Sequence, residues 1–112
     1  MNVGKYQTDT KMLKKWCNDN QIESRIYDML EKAFQTYRTK NVDSFAQYFP
    51  SYSEDKLTKY LFQVSLTVPF GNKEQVRIVT YTRMEYNEKY AGEYKVVFSL
   101  DGQIVEDSLL IE

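Results

Sequence analysis

The chain is 112 residues long, with 42% apolar and 28% charged residues, which is room for one compact domain with its own core and far from the composition of a disordered chain. It contains no histidine, which excludes Ser-His-Asp and Cys-His machinery and most zinc sites. Fifteen basic against sixteen acidic residues leave a net charge of -1, so there is no global basic footprint and no nucleic-acid partner is expected.

Residues 1 to 7 carry no period and read as a tail. From Thr8, the spacing of Met12, Leu13, Trp16 and Cys17 predicts a short extra helix with one apolar stripe. The stretch 1–19 is thus a tail and helix outside a core spanning 20–112, all within a single domain. Cys17 is the only cysteine; it reads as a small core residue and fits a reducing, cytoplasmic setting. No run approaches the roughly eighteen apolar residues of a membrane span, and the first residues lack the apolar stretch of a signal peptide.

Asn20 with Glu23 is a variant capping box opening the next helix. Ile22, Ile26, Met29, Leu30, Ala33, Phe34 and Tyr37 then recur in steps of three and four, the strongest periodic signal in the chain, with charged residues opposite. Asn41 is placed to cap a second short helix carrying Val42, Phe45, Ala46, Tyr48 and Phe49, which Pro50 stops. Ser51-Tyr52-Ser53-Glu54 reads as a capping box for a third, with Leu57, Tyr60 and Leu61 inward.

Beyond it the period changes to two. Val64, Leu66, Val68 and Phe70 alternate with polar residues, Pro69 marking an edge or an end, and Gly71-Asn72-Lys73 turns the chain. From Gln75 to Tyr86, alternation sets Val76, Ile78, Thr80, Thr82, Met84 and Tyr86 against Arg77, Val79, Tyr81, Arg83 and Glu85. Asn87-Glu88-Lys89 is turn-like, and the return strand sets Tyr90, Tyr94, Val96, Phe98 and Leu100 on one side. Asp101-Gly102 is the strongest type I′ hairpin signal. The last strand, 103–111, carries two apolar groups around Glu106-Asp107-Ser108, where a bulge would turn both inward. Helices followed by antiparallel strands predict an α+β fold, with the N-terminal helices packed in the concave face of a curved antiparallel sheet of about four strands.

The stretch Ala33-Phe34-x-x-Tyr37-x-x-x-Asn41-Val42-Asp43-x-Phe45-Ala46-x-Tyr48-Phe49, followed by long strands closing on a hairpin, resembles nuclear transport factor 2-like (SnoaL-like, cystatin-like) domains. The resemblance spans about residues 20 to 112. It implies a cone-like fold whose mouth and exposed sheet face serve ligands or dimerisation. The chain departs from that family in lacking a histidine for the cone, in replacing its first short strand by a helix, and in the extra helix around Trp16.

Tyr81, Arg83, Glu85, Tyr86, Tyr90 and Glu93 form the densest chemical cluster, on two strands joined by a short turn. They read either as a recognition surface, tyrosine being enriched at interfaces, or as a solvated sheet face with cross-strand pairs such as Arg83 with Glu93. An enzymatic reading would place Glu85 or Glu93 with Tyr81 or Tyr37 inside the cone, a carboxylate raised by an apolar site. Asp101, Glu106 and Asp107 offer oxygen ligands without calcium-loop spacing, so neither metal nor cofactor is expected. Lys11, Lys14, Lys15 and Trp16 offer phosphate contacts and a stacking ring, or simply a wet helix face.

The sequence is therefore read as a non-enzymatic accessory or inhibitory domain that binds a protein partner, with a homodimer through the sheet as one form. Two alternatives stay open. One is a small-molecule pocket protein or isomerase-like enzyme of the same fold. The other, implied by the resemblance, is the soluble domain of a secretion or conjugation assembly factor whose anchor lies outside this chain.

Overall fold

The computed structural model describes residues 3–71 and 75–112, with side chains from Thr10 onward. Three helices, α1 (Val3–Asp19), α2 (Ile22–Lys40) and α3 (Val42–Tyr48), and one 3-10 turn (Glu54–Lys56) precede four strands: β1 (Leu57–Thr67), β2 (Arg77–Tyr86), β3 (Lys89–Ser99) and β4 (Ile104–Ile111). The strands pair antiparallel in chain order, forming one open sheet. Residues 3–7 are helical, contrary to the expected tail, because nothing before Thr8 blocks backward propagation of the first helix.

The α2 stripe is the centre of the core. Ile22, Ile26, Leu30 and Phe34 are all buried, against Ile78, Met84, Tyr94, Val96 and Phe98 from the sheet. At the C-terminal end of α2, Phe34 meets Phe45 and Phe49 edge-on, with centroids 5.7 and 5.3 Å apart. Such pairs add stabilisation beyond their buried area. In α3 only Phe45 is buried, Val42 and Tyr48 being exposed.

The breaks between α1, α2 and α3 fall where expected but not by the expected caps. Gln21, in the left-handed region at φ 51°, precedes α2, and neither it nor Asn41 caps a helix through its side chain. Asn20 instead donates from Nδ2 to the Trp16 carbonyl, completing the end of α1.

The third expected helix is a single turn, and Leu57, Tyr60 and Leu61 belong to β1. Apolar residues three and four apart suit a helix as well as a bulged strand, and here the register shifts at Phe62. Phe70 and Gly71 lie beyond the end of β1; Asn72 and Lys73 of the expected turn fall outside the described residues. The type I′ turn is also elsewhere: Asn87 and Glu88 both have positive φ (54° and 67°) and join β2 to β3. At the β3–β4 turn only Gly102 does, at φ 85°. The last bulge lies at Val105, since Val97 pairs with Glu106 and Phe98 with Ile104, so Leu109 and Ile111 pack inward while Ile104 and Val105 stay exposed.

The stripe of α1 docks on its own domain. The Trp16 ring meets Phe98 edge-on at 6.1 Å, its indole Nε1 donates to the Leu100 carbonyl at 2.9 Å, and Leu13 and Cys17 pack on the core. Partial burial pushes the Cys17 thiol above its ordinary value.

Candidate functional site: the open face of the sheet

Helices cover one face of the sheet and leave the other open. Strict alternation along β2 buries Ile78, Thr80, Thr82, Met84 and Tyr86 and turns Arg77, Val79, Tyr81, Arg83 and Glu85 to the open side. Register then assembles rows across it: Tyr60, Arg83, Glu93 and Leu110 form one, and Gln63, Tyr81, Lys95 and Ser108 the next.

A glycine beside the first row lets β3 and β4 come together. At Gly92 (φ 148°), a Cβ would sit 2.1 Å from the Leu110 carbonyl oxygen, so only glycine lets β4 approach there. Just before it, Met84 pairs with Gly92 and Glu85 with Tyr90, leaving Ala91 as a bulge. That extra residue places Tyr90 opposite Glu85 on the open face, not on the Tyr94 side as uniform alternation implies.

The side chains on this face hold one another. The Arg83 guanidinium lies over the Tyr90 ring at 4.8 Å, a cation–π contact, and its Nε stands 3.3 Å from Glu85 without hydrogen-bond geometry. Tyr60 donates its hydroxyl to the same carboxylate at 3.3 Å, and Tyr90 donates to Glu93 at 3.1 Å. Partial desolvation and the Glu93 carboxylate raise the Tyr90 phenol above its ordinary value. Phe62 and Tyr81 pack with tilted rings 6.2 Å apart, and Lys95 faces Glu106 at 4.0 Å.

Five of the six residues singled out in the sequence, Tyr81, Arg83, Glu85, Tyr90 and Glu93, therefore share one face. Tyr86 does not. It is 8% exposed on the helix side, stacked on Tyr52 with its hydroxyl accepting from the Ser53 amide at 3.1 Å. It is a core residue that also lines a groove of about 300 Å³ with Tyr90, Lys56 and Lys89 at the tip of the hairpin. Tyr60 and Phe62 join the face as well, although the spacing of Leu57, Tyr60 and Leu61 predicts a helix there.

The other candidates separate. Glu85 and Glu93 lie on the open face, whereas Tyr37 faces Ser44 and Phe45 among the helices, so no carboxylate and tyrosine of that set meet inside a cone. Asp101 takes the Ser99 hydroxyl, Glu106 faces Lys95 and Asp107 takes the Tyr94 hydroxyl; among the described residues no group of ligating side chains converges. Lys15 pairs with Asp19 at 2.6 Å, and Trp16 packs edge-on against Phe98 with its indole nitrogen on the Leu100 carbonyl. No helix among the described residues is long and apolar enough to cross a membrane. Compared with known proteins, the chain matches no protein family, and no curated protein or solved structure matches it significantly.

Proposed function

We propose that this chain is a non-enzymatic accessory or inhibitory domain that binds a partner protein through the open face of its sheet. The observation that carries this reading is the set of interlocked aromatic and charged side chains there, Tyr60, Phe62, Tyr81, Arg83 and Tyr90. Tyrosine gives large contact area with few rotors to freeze, and the mutual contacts hold it and the Arg83 guanidinium in place before a partner arrives. The likeness of the 33–49 stretch to nuclear transport factor 2-like domains supports the same face, since that resemblance implies ligand or partner contacts on the sheet. A pocket is disfavoured because Ile26, Leu30 and Phe34 fill the concave side. The lone, half-buried Cys17 supports a reducing compartment such as the cytoplasm.

A photo-crosslinking residue placed at Tyr81, in cells that make the chain, tests this directly. It should yield a discrete adduct with another protein that a crosslinker at Asp28, on the exposed side of α2, does not give. Adding Arg83→Ala and Tyr90→Ser should reduce that adduct at least several-fold while leaving the far-UV spectrum and melting temperature close to wild type. The same weak background from both positions would overturn the reading.

A further inference from the structure

Half of the twelve large apolar side chains left exposed among the described residues gather at one end of the molecule, away from the α3 aromatic cluster: Met12, Leu66, Val68, Phe70, Leu100 and Ile104. The sheet explains why. Leu66, Ile78, Phe98 and Ile104 form one cross-strand row on the helix side, and α1 covers only its middle, where Trp16 lies on Phe98. Leu66 and Ile104 are left bare at the two sheet edges.

Beside Trp16 the same arrangement leaves an apolar groove of about 490 Å³, lined by Met12, Leu13, Trp16, Leu66, Ile78 and Leu100. Among the described residues no charged side chain lines it. Phe70, just past the end of β1 on the chain that supplies Leu66, projects fully exposed. One end of the molecule thus carries both an apolar knob and an apolar hole.

We propose that the occupant of this groove is a second copy of the chain, in a two-fold dimer in which Phe70 of each copy enters the groove of the other. Two observations select this occupant. A knob and a hole on the same surface are what a two-fold interface requires, because each contact is then made twice. Each of these six side chains is at least 46% exposed, and apolar residues gathered at one end in this way mark an interaction surface, unlike the scattered single ones that a monomer ordinarily leaves bare. A bilayer fits less well, since it fills no concave groove. The proposal does not rest on the sheet-face reading, and it leaves that face free for a partner.

Sedimentation equilibrium of the full chain, from low to high micromolar concentration, tests it. The wild type should pass reversibly from monomer to dimer. Phe70→Ser, which removes a side chain the fold does not pack, and Leu100→Asp, which places a charge in the groove, should each weaken dimerisation at least tenfold. Far-UV spectra should stay unchanged, and Phe70→Ser serves if the groove variant fails to fold. An equimolar mixture of the two variants restores one knob and one hole per pair, so it should associate more tightly than either alone. A wild type that remains monomeric throughout overturns the proposal, as does a dimer abolished by Tyr81→Ala but untouched by Phe70→Ser. So does a monomer that co-floats with phosphatidylserine-containing vesicles through Phe70, which would assign the patch to lipid.

Discussion

Tyr94 is 1% exposed, and its hydroxyl donates to Asp107 at 2.5 Å. Burial, the hydrogen bond to that carboxylate and its negative charge all hold the phenol well above its ordinary value. The unfolded phenol titrates near about 10, so the fold favours the neutral form. Its contribution to stability is fully present below that pH and is lost as pH rises from there through the higher folded value. Urea midpoints measured between neutral and strongly alkaline pH should fall above about pH 10, and Tyr94→Phe should flatten that limb. A limb of unchanged slope in the variant would assign the alkaline loss to other groups. Thr80 and Thr82, both fully buried on the same strand, show how fine the accounting is at this scale. The Thr80 hydroxyl donates to the Val96 carbonyl at 2.9 Å, whereas that of Thr82 has no partner among the described residues.

Turns and bulges, more than strands, decide what the elements present. Asn87 and Glu88 both sit in the left-handed region between β2 and β3, where a side chain such as glutamate costs about 1 kcal/mol or more relative to glycine. Glu88→Gly makes the favoured Asn-Gly pair and should raise stability by roughly 0.5–1 kcal/mol after the added entropy of unfolded glycine. Thermal melts would register this as a rise of a few degrees, and a fall would show that the glutamate contributes more than its backbone strain costs. The alternation of β2 was readable because it is unbroken: Thr80, Thr82 and Met84 face the helices, and Tyr81, Arg83 and Glu85 face out. The bulges at Phe62 and Ala91 were not readable, because an extra residue leaves no mark on composition and reverses the side of everything beyond it. That is why Tyr90 joined the open face unexpectedly. Tyr86 stays off that face by a parity legible in the sequence, since it alternates with Glu85 and shares the side of Met84.

For the whole molecule, the docking of α1 is the feature that sequence left open, since a lone stripe around Trp16 says nothing about which surface receives it. The structure ties it to the β3–β4 turn through the Trp16 indole on the Leu100 carbonyl, while Arg25 at the start of α2 donates to the Gly102 carbonyl at 2.9 Å. In a protein most of a helix's stability comes from such packing rather than from its own propensity. Trp16→Ala should therefore cost about 1–3 kcal/mol locally, seen by hydrogen exchange as lost protection in α1 with β2 and β3 amides still slow. Equal loss in all elements would mean that α1 and the sheet melt as one unit. The clamp also has a kinetic meaning. Every strand pairs with its neighbour in the chain, so the sheet closes through short loops, whereas Trp16 and Leu100 lie 84 residues apart. Short loops close early and long ones late. The contact then forms after the rate-limiting step, so its removal speeds unfolding and leaves the folding rate nearly untouched. Trp16 governs how long the native state lasts more than how quickly it is reached.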